Sequence, residues 1–585
     1  MAAGPSGSSG RSFWPLLIAL LALPLLGATR PGLAPVAYQL SPVFIGGYLI
    51  GLQVEVRFKG DASGVTEFGW ASHFAGDRRL SRWAQDVTIR GAESVVDEGG
   101  GQHRIRAVAG APLLVRYRIV SAYDHDPTAD DAQQALPVIR PTWFFAVGRA
   151  LFAEPHGRDG APATFAWTGA PEGFGFASDL EHLAGPDHPG LRPGTVADVL
   201  DSVVVGGSDL HLYGALDGAP RVRVATVGRF AFAPEALDAL ARRVISVERR
   251  FWGADESAPF LVAAMSLQRS PDRQSLSGTG LTDAFALWID ESLPLSDVTW
   301  LLGHEYFHTW NPTALGGFPD TPRLEPSSLY WFSEGVTDYY ARALMVRAGL
   351  ITPRQFAAQW NDTLRAYATS PFERSPNAVA SKQFWTSDAG NKIPYQRGAL
   401  LAAIWNARLR GLSGEERGLD DVLRAQAAQV RASPDGRDMV DRFIAVAGAF
   451  GLNVRPDVDR FVERGEAISL PPDVFGRCAR VVTREQPMFA YGFDVPATLA
   501  RGMMVTGVEP DSRAYAAGLR NGMRILRKEA GVAGEPMAPY AFLVAAGPTR
   551  RVISYLPQKS AEVSTQSVEL ASNLTSDCRR TLSGL

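Results

Sequence analysis

His304 and His308 stand four residues apart with Glu305 beside the first of them, a spacing that suits hydrolytic zinc chemistry. On a helix, residues at i and i+4 share a face with Cβ atoms about 5–6 Å apart, so both imidazoles can reach one metal ion. Glu305 then lies beside the metal, placed as a general base toward a water that the metal activates. Histidine is scarce here: of nine in the chain, only these two lie beyond His211, which argues against an accidental pairing.

A zinc site that keeps one position open for water needs a third protein ligand. The segment Trp331-Phe-Ser-Glu334-Gly-Val-Thr-Asp338-Tyr-Tyr supplies Glu334, 26 residues after His308. Pro312, Pro319, Pro322 and Pro326 lie between them, breaking helix and letting the chain reverse. The pattern predicts two antiparallel helices. The first has Ser296 or Asp297 as its cap and ends at about Asn311; the second is capped by Ser327 or Ser328 and continues to Gly349. Asp338, one turn beyond Glu334, is placed to accept a hydrogen bond from the distal nitrogen of a ligating histidine and so fix its tautomer.

His304-Glu-Tyr-Phe-His308-Thr-Trp-Asn311 followed by Trp331-Phe-Ser-Glu334-Gly-Val-Thr-Asp-Tyr-Tyr340 resembles the glycyl aminopeptidase family of gluzincin metallopeptidases, family sixty-one among metallopeptidases. Tyr395-Gln-Arg-Gly398-Ala-Leu-Leu is similar to a further segment of that family. The resemblance implies Zn2+ as cofactor, an N-terminal β-domain, a thermolysin-like catalytic domain and a C-terminal PDZ domain. It also implies that Tyr395 hydrogen-bonds the oxyanion formed as water adds to the peptide carbonyl. One stretch departs from the family. Where its members carry Gly-Gly-Leu-Glu-His, this chain has Ser277-Gly-Thr-Gly-Leu-Thr-Asp283-Ala-Phe, leaving Asp283 as the stand-in carboxylate for a substrate's free ammonium.

The elements that must position these residues are multidomain α+β. At 585 residues the chain exceeds one core, and 46% hydrophobic against 20% charged residues makes most of it ordered and globular. Residues 35–225 carry short alternating runs such as Gly51-Leu-Gln-Val-Glu-Val-Arg-Phe and Pro112-Leu-Leu-Val-Arg-Tyr-Arg-Ile-Val, which predict a β-sandwich-like domain. Ala161 to Pro193, rich in Gly and Pro, reads as an irregular excursion. Residues 229–453 read as the thermolysin-like domain, a small sheet plus a helical half. Within it Ala233–Phe251 has helical periodicity, and Phe260–Leu267 and Ala284–Asp290 read as strands. Such a sheet's edge strand can hold a peptide backbone by β-augmentation.

Residues 454–585 resemble a PDZ domain: Ala490-Tyr-Gly492-Phe493 is similar to its carboxylate-binding loop, and Val505 to Gly522 to the strand, turn and helix beyond that loop. A peptide C-terminus is the partner such a groove would take. Residues 1–28 read as a signal peptide, with Arg11 ahead of the apolar run Phe13–Leu26 and small residues Gly27 and Ala28 at the cleavage point. This places the protein outside the cytoplasm, secreted or periplasmic, with an uncleaved N-terminal anchor as the alternative. In that oxidising setting Cys478 and Cys578, the only two cysteines, are candidates for a disulfide that clasps the C-terminal domain. Lys+Arg 58 against Asp+Glu 61, without a long basic run, excludes a nucleic-acid partner.

These features predict a zinc-dependent peptidase, an aminopeptidase releasing small N-terminal residues such as Gly or Ala. An extracytoplasmic zinc endopeptidase would use the same residues in an open cleft. A non-catalytic PDZ scaffold would lack a ligand or the base, and all are present.

Overall fold

Leu52, Val54, Val56 and Phe58 alternate along strand Tyr48–Lys59 and are all buried, so the period-two pattern buries one face of a sheet. Its neighbours Val36–Ile45 and Pro112–Ile119 pair antiparallel on either side, with Leu40 opposite Val54 and Val54 opposite Tyr117. The computed structural model describes residues 32–71, 80–129, 131, 136–183, 194–214, 221–270, 274–318, 326–432, 436–531, 534–575 and 577–584. The expected signal peptide lies outside these. One compact unit ends at Ala314 and a second begins at Leu315.

The first unit is β-rich through its N-terminal half, with one six-stranded and two four-stranded sheets. The buried Tyr117 hydroxyl ties sheet to core, donating to the Leu151 carbonyl at 2.9 Å and accepting from the Ala153 N–H at 2.9 Å. The excursion expected from Ala161 is partly regular: Pro162–Trp167 runs parallel to Val36–Ile45, and Gly175–Ser178 joins another sheet. Stacked aromatics explain the difference. Trp167 lies 4.3 Å from Phe176, and Phe165 6.0 Å from Phe176, and this apolar packing overrides the local Gly and Pro signals. Residues 184–193 lie outside the described set.

The same unit carries the sheet that supports the histidines. Its strands are β1 (His211–Tyr213), β2 (Val222–Val227), β3 (Phe260–Leu267), β4 (Leu276–Gly280) and β5 (Ala284–Asp290), ordered β1-β2-β3-β5-β4. Strands β2, β3 and β5 are parallel and almost wholly buried, whereas β4 pairs antiparallel with β5 at the edge. Helix α1 (Pro234–Trp252) starts with proline in its first turn and ends on Gly253 in the left-handed region, φ 63°. Helix α2 (Leu295–Phe307) begins after Pro294 with no side-chain cap, so neither Ser296 nor Asp297 plays the expected role. Proline just ahead of the helix already sets the entry backbone there.

In the second unit, α3 (Tyr330–Arg347), α4 (Pro353–Ala368) and α5 (Asp388–Ser413) form the helical half. Helix α3 comes after a 3-10 turn, Pro326–Leu329, which absorbs Ser327 and Ser328; its N-cap is Leu329 without a side-chain bond. Trp331 meets Trp405 at 6.2 Å, and Phe332 and Trp405 both meet Phe443, at 4.9 and 5.1 Å. Further on, Ala479–Phe489 and Gln558–Leu570 form a two-stranded ribbon. Asn361 of α4 mimics a strand partner for it, accepting from the Val568 N–H at 2.6 Å and donating to its carbonyl at 3.3 Å. Cys478 and Cys578 are joined by a disulfide across a sequence separation of 100. It anchors the short helix Cys578–Leu582, beyond which Arg347 donates to the Ser583 carbonyl at 3.1 Å and Arg410 to that of Gly584 at 2.8 Å.

Another core gathers Phe493, Val505, Leu519, Ile525, Phe542 and Ile553 around the sheet Arg524–Ala530, Tyr540–Ala546 and Thr549–Tyr555. The Tyr491-Gly492-Phe493 run continues into helix Val495–Ala500, capped by Asp494, and not into a strand. The strand that would receive an added peptide beside such a loop is therefore replaced by helix.

Candidate metal centre

Aromatic packing fixes α2 before any chemistry is considered. Tyr306 stands edge-on to Phe260 of β3 at 4.7 Å, and its hydroxyl accepts from Arg249 Nε at 2.7 Å. Burial holds that phenol well above its usual pKa, so it stays neutral. Phe307 packs on Phe251 and Trp252 of α1 at 6.0 and 5.3 Å, and Trp252 stacks on Trp310 at 5.7 Å. These contacts clamp the last turn of α2, which carries both histidines.

His304 is fully buried, Glu305 is 2% exposed and His308 is half-buried as the residue closing the helix. Trp300, one turn before His304, lies 5.3 Å from its ring. The Nε2 atoms of His304 and His308 are 3.1 Å apart. His308 Nδ1 lies 2.8 Å from the Asn311 carbonyl, which only accepts, so Nδ1 carries the proton and Nε2 keeps its lone pair for a metal. Asn311 itself is buried, and its peptide bond to Pro312 is cis.

Glu334, 1% exposed, sits in the first turns of α3. One donor atom each from His304, His308 and Glu334 lies within 4.8 Å of the others, and this is the one such cluster among the described residues. Two nitrogens each about 2.0–2.1 Å from a tetrahedral zinc stand about 3.3 Å apart, close to the separation of the two imidazoles. Two imidazoles, His304 buried and His308 half-buried, and a buried carboxylate are a donor set that zinc takes readily, so the residues fit the ion.

Asp338 is bound by Arg342, one turn on: Nη1 donates to its Oδ2 at 2.6 Å and to its backbone carbonyl at 3.0 Å. Arg342 also donates to Thr363 at 3.0 Å and lies over Trp360. The carboxylate one turn from Glu334 is thus held by a cation that the sequence reading did not single out.

Tyr395, 8% exposed, lies in the second turn of α5, immediately after Pro394 inside the helix, where a proline would ordinarily mark a helix start. The elements bearing Glu334 and Tyr395 cross at two glycines. A Cβ on Gly335 would fall 2.4 Å from Gly398 Cα, and one on Gly398 would fall 1.7 Å from the Trp331 carbonyl oxygen. Only backbone fits at this contact. Arg397, 1% exposed, donates to the Ser375 carbonyl at 2.8 Å and ties the preceding loop to α5; burial lowers its pKa.

Asp283 sits half-buried at the turn between β4 and β5, where its carbonyl accepts from the Leu261 N–H at 3.0 Å. The adjoining Thr282 hydroxyl donates to buried Asp201 at 2.7 Å. Burial, chiefly, raises the pKa of Asp201 and of Asp179, and the negative charge of Asp283 raises Asp179 further.

Residues 297–400 match the family of M61 glycyl aminopeptidases. With the His304, His308 and Glu334 cluster inside that span, the chemistry is decided. The chain is a zinc metallopeptidase. No curated protein matches this metallopeptidase. Among solved structures it is similar to an aminopeptidase N family protein from Idiomarina loihiensis, at 17% identity and TM-score 0.68, covering 94% of this chain and 99% of that one. That likeness is one of fold. An M1 zinc metallopeptidase from Deinococcus radiodurans bound to a Tyr-Ser-Ala substrate aligns at 16% identity and TM-score 0.44, covering 75% of this chain and 95% of that one. No helix among the described residues of the metallopeptidase is long and apolar enough to cross a membrane.

The sequence reading missed Asn311, Arg342, Arg397 and the glycine pair. Asn311 and Gly398 stand within the quoted motifs, so their positions were visible, but a carbonyl acceptor and a backbone contact leave no mark in residue type.

Proposed function

We propose that the chain is an aminopeptidase of the extracytoplasmic space that releases small N-terminal residues such as Gly or Ala. In this reading His304, His308 and Glu334 hold the zinc ion. When bound, zinc supplies Lewis-acid polarisation and brings the pKa of water toward about 7. Glu305 takes a proton as water adds to the scissile carbonyl and returns it to the leaving amine. The Tyr395 hydroxyl donates to the developing oxyanion, and α5 sets its height through the contact at Gly398. Asp283 holds the substrate ammonium in place of the glutamate that the resemblance led one to expect. Asp338, held by Arg342 through Oδ2, accepts from the distal nitrogen of a ligating histidine and fixes its tautomer.

The observation that carries this reading is the cluster of two imidazoles and a carboxylate, buried at His304 and Glu334, with Glu305 adjoining His304 in the chain. The disulfide between Cys478 and Cys578 supports an oxidising compartment. The C-terminal module is proposed as PDZ-like in its Val505–Gly522 stretch and structural in role, since its loop runs on into helix Val495–Ala500. The test is a panel of free and N-acetylated aminoacyl amides with the wild type and Glu305→Gln. Cleavage of free Gly and Ala substrates only, abolished in Glu305→Gln with zinc content intact, is expected. Equal cleavage of acetylated substrates would transfer the assignment to an endopeptidase.

A further inference from the structure

Trp385 is 58% exposed, an unusual state for an indole, and it is not isolated. Its ring meets Phe384 edge-on at 4.7 Å and Tyr330 at 6.5 Å. Phe384, 2% exposed, in turn meets Tyr330 at 4.7 Å and lies parallel to Tyr395 at 6.5 Å. Tyr330 precedes Glu334 by four residues on α3 and so shares its helix face. The four rings form a continuous aromatic wall. It reaches from the helix face of Glu334 to the side of Tyr395, and Trp385 is its solvent-facing end.

The wall is held rigidly. A Cβ on Gly390 would fall 2.4 Å from the Gln383 carbonyl, so the turn carrying Phe384 and Trp385 is pressed onto the first turn of α5. Asn377 donates to the Ser328 carbonyl at 2.7 Å and ties the same segment to the turn before α3. Phe384 and Tyr330 fill the interior while the Trp385 indole stays exposed beside them, at the end of a run of ring contacts that reaches Tyr395.

We infer that Trp385, backed by Phe384, lines a subsite for a large apolar or aromatic side chain on the residue next after the released one. The inference rests on the aminopeptidase reading above. There the carbonyl whose oxyanion Tyr395 stabilises belongs to a small N-terminal residue, so the bulky side chain beside Tyr395 comes from the next residue. A ring laid on the indole gains both burial and aromatic contact, and apolar subsites of this kind discriminate by about tenfold or more.

The experiment compares hydrolysis of Ala-Gly-, Ala-Leu- and Ala-Phe-amides with that of Phe-Gly-amide by the wild type, Trp385→Ala and Trp385→Phe. The expected result is a kcat/KM for Ala-Phe-amide about tenfold above that for Ala-Gly-amide. That preference should vanish in Trp385→Ala, persist largely in Trp385→Phe, and leave Ala-Gly-amide turnover within about twofold. Equal turnover of Ala-Gly- and Ala-Phe-amides by the wild type would overturn the subsite while leaving the aminopeptidase reading standing. So would a Trp385→Ala loss confined to Phe-Gly-amide. Absence of turnover on every free-amine substrate would instead refute the aminopeptidase reading itself.

Discussion

Substituting one hydrogen at Gly398 tests how the helices bearing Glu334 and Tyr395 are set against each other. A Cβ there would stand 1.7 Å from the Trp331 carbonyl oxygen and 2.7 Å from Gly335 Cα. A relaxed carbon–oxygen contact needs about 3.3 Å, so α3 and α5 must separate locally by about 1.6 Å in Gly398→Ala. Both obstructing atoms are backbone, so no side chain can swing aside. Overpacking of this kind costs about 1–3 kcal/mol, and a displacement of about 1 Å at a catalytic constellation can cost about 100-fold in rate. Gly398→Ala is therefore expected to lower kcat/KM by about 100-fold and Tm by several degrees. Gly411 gives an internal control in the same helix, because a Cβ there meets nothing within 4 Å. Gly411→Ala should keep full activity and gain up to about 1 kcal/mol from helix propensity. Initial-rate kinetics and thermal unfolding on the two purified variants read both quantities. Wild-type kinetics and Tm in Gly398→Ala would refute the crossing as the device that positions the site.

Tyr395→Phe should lower kcat by about 100- to 1,000-fold with KM little changed, as loss of one oxyanion donor does; an unchanged kcat would remove Tyr395 from that role. Burial, with the negative charge of Asp159 adding to it, pushes the Glu154 carboxyl from 4.5 up to about 7, and its Oε2 has no hydrogen-bond partner among the described residues. Folding therefore favours its protonated form. That contribution is complete below the unfolded value near 4.5 and is lost, to the extent of about 3 kcal/mol, as pH rises through about 7. Glu154→Gln should raise Tm at pH 8 and leave it unchanged at pH 4; equal Tm differences at both values would contradict this. The disulfide closes a loop of sequence separation 100, for which the chain-entropy estimate is about 4.7 kcal/mol, so reductant should lower the wild-type Tm and leave that of Cys478→Ser unmoved.

Legibility in the chain depended on how strongly chemistry or periodicity restricts residue type. Histidines at i and i+4 with a glutamate on the next helix are few enough in kind to stand out, and α1, β3 and β5 obey patterns that apolar burial imposes. Capping was less legible: Ser296, Ser327 and Ser328 are good caps by type, yet Pro294 and a 3-10 turn take the chain into α2 and α3. Pro394 hid Tyr395 inside α5, since a proline within a helix reads as its beginning. The strand Pro162–Trp167 was masked by nearby Gly and Pro and is held by stacked rings whose partners are distant in sequence. Arg342 was available at helical spacing from Asp338 as a second partner for that carboxylate, and it binds through Oδ2. The loop around Gly492 carries a sequence resembling a peptide-binding turn, and its continuation as helix depends on Asp494 capping the segment Val495–Ala500.

The most direct test is the zinc content of purified protein, measured per chain for the wild type and for Glu334→Ala, His304→Ala, His308→Ala and Glu305→Gln. One zinc per chain should remain in the wild type and in Glu305→Gln, and fall away in the three ligand variants. A full complement of zinc in Glu334→Ala would contradict a centre built from two imidazoles and that carboxylate.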